Sequence, residues 1–371
     1  MTGLISCTLE CNLKCKYCFE KNGDKDKCPD TNEINDKFRG AIPYFDKFID
    51  NIYSYNDESK SVIIWHGGEP TLIKPDLMEQ VMEMQHGKGH DISWRIQTNG
   101  TMLTDERIAL FKKYNVFVGI SIDGLKHHHD KYRITKSGNP TFDLIKKNMD
   151  KLKQNNVQFS VLVTITDNNV NELNDIYRFL SAENISFSYN ALYPTDNKEK
   201  YAELNAEEYS LAICELFDLW INDQLSKIVI APFEHIIEGL LCQERGIPAC
   251  NWQKNCSESF IAIDPLGDLY PCEHWVGDIQ MRLGNIQDDF GTMAKVNNIF
   301  DDRAIILAKK ECENCEIFEL CYGGCPWNSY ILNGRINTKD NSICYGRKRL
   351  IKHIYQYLKD NYKGKLKEII F

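Results

Sequence analysis

Three cysteines stand within eight residues near the start of the chain. They are Cys11, Cys15 and Cys18 in "CNLKCKYCFE" (11–20), spaced C-x3-C-x2-C. Thiolates this close together ligate metal or exchange electrons. Three of them suffice for three irons of a four-iron, four-sulfide (4Fe–4S) cluster, whose usual ligand is cysteine. The fourth iron then stays open, as a catalytic metal site keeps a position for its substrate. A zinc knuckle is the competing reading, with Cys28 as the fourth ligand. Cys7 lies within a predicted strand and is set aside. A second group follows far downstream: Cys250, Cys256 and Cys272, then Cys312, Cys315, Cys321 and Cys325 spaced C-x2-C-x5-C-x3-C, and last Cys344. Eight thiolates are the number that closes two more clusters. "CENCEIFELCYGGC" taken alone also reads as a zinc ribbon.

Composition supports metal chemistry inside a reducing compartment. The chain has 371 residues, 15 cysteines, 43% hydrophobic content and a formal net charge of −9. Disulfides are disfavoured where thiols are kept reduced, so clustered cysteines point to metal or catalysis. The charge balance and the lack of a basic stripe argue against a nucleic-acid partner. No apolar run is long enough to span a bilayer, and "MTGLISC" has no secretory pattern, so the expected location is the cytoplasm. The length suggests two domains. Cysteines are absent from 29 to 213 and dense from Cys242 to Cys344. Cys7, Cys28, Cys214 and Cys242 read as packing residues.

The cysteine-poor middle must position the chemistry. β-rich runs occur at 4–8, 61–66, 93–98, 116–122, 157–164 and 185–192. Helical periodicity fills 34–54, 75–87, 105–114, 141–155, 170–182 and 206–224. Six strand–helix units predict an α/β fold with a parallel sheet, an open partial (β/α)6 barrel carrying its chemistry at the C-terminal strand ends. Residues 193–200 read as a polar loop. The expected division is 1–225 for the barrel and 226–371 for a linker and cysteine-rich extension. The three-cysteine loop then follows the first strand. "HGGEP" (66–70) ends the second strand, "QTNGT" (97–101) the third and "GISIDG" (119–124) the fourth. "HHHDKYR" (127–133) suggests a metal, but three consecutive helical residues do not share a face. Gly267 and "YGG" (322–324) suit tight turns.

The three-cysteine motif, with Tyr17 before Cys18, resembles the signature of radical S-adenosylmethionine (SAM) enzymes. In that family the open iron binds SAM, and reductive cleavage gives a 5′-deoxyadenosyl radical that abstracts a substrate hydrogen. The resemblance implies that Tyr17 lies near the adenine and that Gly67 and Gly68 let backbone approach the ligand. It further implies that Glu69 accepts from the SAM ammonium and that Asn99 and Ser121 line the ribose and methionine region. Arg133 is a candidate partner for the SAM carboxylate, with a surface salt bridge as the alternative.

The downstream cysteines are similar to the SPASM extension, which carries two auxiliary 4Fe–4S clusters, three in all. The resemblance assigns Cys250, Cys256, Cys272 and Cys325 to one and Cys312, Cys315, Cys321 and Cys344 to the other. It also implies a peptide or protein substrate, entering a cleft between barrel and extension, and reduced flavodoxin or ferredoxin as electron donor. "IQTNGTMLTDERIALFKKYNVFVGISIDG" resembles anaerobic sulfatase-maturating enzymes, which oxidise a protein Cys or Ser to formylglycine. "YPCEHWVGD" and "GGCPWNSYILNG" look closer to maturases that crosslink ribosomally made peptides by thioether or carbon–carbon bonds. Crosslinking is the first expectation, sulfatase maturation the second, and a non-catalytic iron–sulfur or zinc protein the third. Glu273 stands where the sulfatase group carries an Asp, taken as catalytic base, and is the candidate proton acceptor; a solvated surface Glu is the alternative. His66 stands where that group usually carries Gln.

Overall fold

The computed structural model describes residues 1–19, 28–192, 204–241, 246–291 and 300–364. Cys242 and the loop at 193–200 lie outside the described residues. The architecture is α/β with a parallel-dominated sheet. The chain forms two compact units that interleave along the sequence. One comprises Met1–Ile122, His129–Ser160 and Ser257–Asn298; the other comprises Asp123–His128, Val161–Cys256 and Ile299–Phe371.

The first unit begins with the predicted alternation. Strands β1 (Thr2–Ser6), β2 (Ser61–His66), β3 (Ile92–Thr98) and β4 (Phe117–Ser121) pair in parallel, in that order. Helices α1 (Thr31–Tyr55), α2 (Pro75–Gly87) and α3 (Asp105–Lys113) connect them, and α4 (Lys126–Tyr132) and α5 (Phe142–Gln154) follow β4. Strand β2 reads "SVIIWH" because neither face meets much water, as parallel strands require. Helix α1 starts where the Asp30 carboxylate accepts from the N–H groups of Asn32 and Glu33. Its buried face, Ile34, Phe38, Ala41, Phe45, Phe48, Ile49 and Ile52, follows the helical period. Phe38 and Trp65 meet with ring centroids 6.1 Å apart, and Trp65 stacks on Trp94 at 5.5 Å.

A late segment then joins this sheet. Strand β7 (Phe260–Ile263) pairs in parallel with β1, from Thr2↔Phe260 to Ile5↔Ile263. Strands β8 (Asp268–Tyr270) and β9 (Gly284–Asn285) continue it antiparallel. Gly267, at φ +83°, makes the turn between β7 and β8. This hairpin delivers Cys272 and Glu273 to the side of β1.

In the second unit β5 (Phe159–Ile165) pairs in parallel with β6 (Phe187–Ala191), and α6 (Leu173–Ala182) connects them. Helix α7 (Ala206–Asn222) packs on the last helix, Cys344–Asn361, around Phe217. The Phe217 ring meets Phe233 and Tyr357 edge-on at 5.4 and 5.5 Å. No helix among the described residues is long and apolar enough to cross a membrane.

Candidate active site

The three-cysteine loop leaves β1 and is fixed from two sides. On one side it meets the turn after β2. Cys7 N–H donates to His66 O (2.9 Å), Gly68 N–H to Thr8 O (2.7 Å) and Glu69 N–H to Glu10 O (2.9 Å). On the other side it runs along residues 132–135. Lys14 N–H donates to Ile134 O (2.9 Å) and Lys16 N–H to Tyr132 O (3.0 Å). Within the loop, Leu13 N–H donates to Cys11 Sγ at 3.4 Å and Cys18 N–H to Cys15 O at 3.2 Å. Burial pushes the Cys11 thiol well above its ordinary pKa, and Glu69, Cys15 and Cys18 add to the shift. A buried thiol among other thiols suits a metal that displaces its proton. The donor set therefore fits an iron–sulfur cluster. Cys7 behaves as a packing residue. It is buried, and its thiol donates to Ile5 O at 3.6 Å. Cys214 is buried too, whereas Cys28 is exposed.

The glycines of "HGGEP" have a role beyond the expected one. Gly67 sits at φ +113°, and a Cβ there would lie 2.3 Å from Thr8 O. A Cβ on Gly68 would lie 2.3 Å from Glu10 O and 2.6 Å from Leu9 O. The close approach they permit is to the cysteine loop's own backbone. Gly68→Ala is expected to destabilise the protein by about 1–3 kcal/mol and to lower iron incorporation. An unchanged denaturation midpoint with full iron content would contradict this close approach.

The Glu69 side chain is only 1% exposed and ties the turn after β2 to the end of β3. Its Oε1 accepts from Thr71 N–H (2.9 Å), from the Thr71 hydroxyl and from the Thr98 hydroxyl (2.6 Å). Its Oε2 accepts from Asn99 N–H at 2.7 Å, which leaves that oxygen a second lone-pair direction. Arg107, itself buried, holds the same turn by donating to Thr71 O and Ile73 O, both at 2.9 Å. Asn99 Nδ2 lies 3.7 Å from Cys11 Sγ and donates to Asn12 Oδ1 at 2.8 Å. Asn12 in turn donates to the Thr101 hydroxyl at 2.9 Å. Thus Cys11, Glu69 and Asn99 form one cluster, with Asn12, Thr71, Thr98 and Arg107 as partners that the motifs did not identify.

Tyr17 and Arg133 also meet. The Arg133 guanidinium lies 5.3 Å from the Tyr17 ring centroid, a cation–π contact, and the Tyr17 and Tyr132 rings meet edge-on at 5.9 Å. Arg133 is buried, so the surface-salt-bridge alternative does not hold. Ser121 ends β4 and accepts from Gln97 Nε2 at 3.1 Å.

Glu273 is 4% exposed, which removes the solvated-surface alternative. It starts a 3-10 turn, Glu273–Trp275, after β8. The Ser6 hydroxyl, at the end of β1, donates to Glu273 Oε1 at 2.8 Å. His66 Nδ1 lies 3.6 Å from the same oxygen, but accepts from Gly67 N–H at 2.9 Å and so carries its proton on Nε2. Glu273 Oε2 is buried without a hydrogen-bond partner. The neighbouring His274 stacks on Phe19 of the cysteine loop, with centroids 4.4 Å apart. Loss of solvation brings its pKa down to about 3, with nearby His66 adding to the shift.

The second unit holds seven of the eight downstream cysteines. Cys312, Cys315, Cys321 and Cys344 line one small cavity together with Lys339, Asp340, Arg347 and Lys348. Burial brings the Cys312 thiol up to about 11, and Cys315, Cys321 and Cys344 add to the shift. Burial likewise pushes up Cys256, with Cys325 and Cys250 as the neighbours that reinforce it. Cys272 belongs to the first unit. Arg347 Nη1 donates to Asn251 O at 2.8 Å and lies 3.5 Å from Cys321 Sγ, while its Nη2 is buried without a partner. An orphaned guanidinium nitrogen beside a cysteine sulfur suits the sulfide-rich surface of a cluster. The "YGG" turn is tight as expected: Tyr322, Gly323 and Gly324 all have φ between +47° and +80°. Arg303 locks it, donating to Tyr322 O (2.8 Å), Gly323 O (3.0 Å) and Thr338 O (2.9 Å).

The chain is similar to known proteins in sequence and in fold. Residues 5–180 match the radical SAM superfamily. A cysteine-type anaerobic sulfatase-maturating enzyme of Clostridium perfringens is 31% identical over 85% of this chain and 85% of its own length. A serine-type anaerobic sulfatase-maturating enzyme of Bacteroides thetaiotaomicron is 28% identical over 94% of this chain and 87% of its own. The solved structure of native anSMEcpe with bound AdoMet has the same fold, with a TM-score of 0.79 at 24% identity over 97% of this chain and 98% of that one. Family membership implies SAM and a 4Fe–4S cluster. The chain belongs to the radical SAM superfamily, alongside the anaerobic sulfatase-maturating enzymes, and is an enzyme of the radical SAM oxidoreductase type.

Proposed function

We propose that this enzyme oxidises a peptidyl Cys or Ser side chain in the manner of sulfatase maturation. The names of its relatives support that reading over peptide crosslinking, the first expectation from sequence, which gains no specific support from them. The observation that carries it is the Glu273 carboxylate. One oxygen is anchored by Ser6, and the other is shielded from water without a donor. Such an oxygen is poised to accept a proton.

Cys11, Cys15 and Cys18 hold the SAM-binding cluster. Cys312, Cys315, Cys321 and Cys344 hold an auxiliary one, and Cys250, Cys256 and Cys325 supply ligands to another. When bound, these groups and SAM supply the hydrogen-abstracting radical and an acceptor for one electron. Tyr17 and Arg133 orient SAM through its adenine and carboxylate. Glu69 Oε2 accepts from its ammonium, and Asn99 and Ser121 line its ribose and methionine part. Gly67 and Gly68 hold the cysteine loop at the distance this requires. The substrate β-carbon loses a hydrogen atom, its thiol or hydroxyl loses a proton to Glu273 Oε2, and one electron leaves. For a Ser side chain this gives the aldehyde directly; for a Cys side chain it gives the thioaldehyde, which water hydrolyses to the aldehyde with release of hydrogen sulfide. Ser6 fixes the carboxylate so that Oε2 faces the departing proton. The reducing electron comes from a flavodoxin or ferredoxin.

The reading is tested by incubating reduced, reconstituted enzyme with SAM and peptides from a sulfatase active-site segment, then weighing the products. Conversion of Cys or Ser to an aldehyde is expected. A product lighter by two hydrogens and closed by an intramolecular link would replace this reading with crosslinking.

A further inference from the structure

A donor set outside the cluster and SAM residues converges at the start of α4 (Lys126–Tyr132). His127 Nε2 and His128 Nε2 each lie 3.3 Å from the same atom, Glu172 Oε2. All three atoms fall within 4.8 Å of one another. Glu172 closes the 3-10 turn Val170–Glu172 that precedes α6. The sequence argument against a histidine metal site holds only for the third residue, since His129 Nε2 pairs with the Thr141 hydroxyl at 2.9 Å. The first two meet a carboxylate that a different segment brings to them.

The spacing is that of a coordination shell. Nitrogen and oxygen ligands at about 2.0–2.1 Å from a tetrahedral ion stand about 3.3 Å apart along each edge. Both nitrogen–oxygen edges here already have that length. The His128 side chain is fully buried, yet neither ring nitrogen makes a hydrogen bond, and Nε2 only approaches Glu172 Oε2 at 3.3 Å. Burying an imidazole with both nitrogens unsatisfied is costly, and an ion on Nε2 removes half of that deficit.

The segments that carry the ligands are also held in place. Asn168 Nδ2 donates to His128 O at 3.1 Å. Asn169 Nδ2 donates to Asp123 O (3.0 Å) and Thr164 O (2.9 Å), and its Oδ1 accepts from Thr166 N–H (2.8 Å). Gly124, at φ +103°, lets the turn press on α6, where a Cβ would come within 2.4 Å of Ile176 Cδ1. Little ordering remains for a ligand to impose.

We propose that His127, His128 and Glu172 bind one divalent first-row metal ion through Nε2, Nε2 and Oε2, with water completing its shell. Two imidazoles and a carboxylate suit zinc and its neighbours, and zinc outranks iron(II) at such donors. The ion ties the start of α4 to the turn before α6.

The test uses the fully reconstituted holoenzyme, so that the cluster cysteines are occupied. It is dialysed to equilibrium against micromolar zinc under anaerobic conditions, and zinc, iron and sulfide are measured per chain. One zinc at unchanged iron and sulfide is expected, with affinity falling more than about tenfold in His127→Ala and in Glu172→Gln. The His127 side chain is 62% exposed and that of Glu172 43%, so neither change opens a core cavity and the metal-free variants should melt as the parent does. No zinc uptake, equal uptake by parent and variants, or uptake matched by loss of iron would each overturn the proposal.

Discussion

Cys15→Ala is expected to bring 5′-deoxyadenosine formation down to background. The three-cysteine loop has no spare ligand to offer. Cys7 is buried, its thiol turned to Ile5 O, and Cys28 is exposed on a chain segment that leads into α1. Loss of one thiolate leaves two, which is too few to hold a cluster that must also keep one iron open. The loop itself should survive the change. Its contacts with residues 132–135 and with the turn after β2 are backbone hydrogen bonds that do not involve the Cys15 side chain. The variant should therefore stay folded and retain its auxiliary iron. SAM cleavage at the parent rate would mean that Cys7 or Cys28 takes over as ligand, and would undo the assignment of the open iron to this loop.

Glu273→Gln is expected to keep 5′-deoxyadenosine formation and to lower aldehyde product by about 10²–10⁴-fold, the usual worth of a positioned general base. The substitution is close to isosteric, and the Gln carbonyl oxygen still accepts from Ser6. What it removes is the capacity to take up a proton. The contrast between retained SAM cleavage and lost product separates a proton acceptor from a residue that merely supports the fold. Product at the parent rate would show that the buried Oε2 is not the acceptor.

Local pattern made much of the fold readable. Helix α2 begins at Pro75 and ends at Gly87 as predicted, because Pro at the first helical position fixes its start. The periodic segment 170–182 proved to be a 3-10 turn followed by α6, a difference that apolar spacing alone does not encode. Strand β1 ends at Ser6, two residues before the predicted end, because from Cys7 onward the backbone pairs with the turn after β2. Long-range pairing was the part that could not be read. Nothing local marks 260–263 as the strand that lies beside β1, yet this register is what brings Glu273 to Ser6. The "HGGEP" motif was legible as a site, but the hydrogen bonds that Glu69 accepts from Thr98 and Asn99 and the contact of Gly67 and Gly68 with the cysteine loop depend on partners far away in sequence. The convergence of His127 and His128 on Glu172 was hidden for the same reason.

The central claim is that radical chemistry supported by the Cys11–Cys18 loop reaches the β-carbon of a peptidyl side chain. It is tested most directly with a sulfatase-type peptide whose reactive Cys or Ser carries deuterium on that carbon. Transfer of one deuterium into 5′-deoxyadenosine, matched by aldehyde in the peptide, is the predicted result. Abundant 5′-deoxyadenosine without deuterium, beside unchanged peptide, would contradict it.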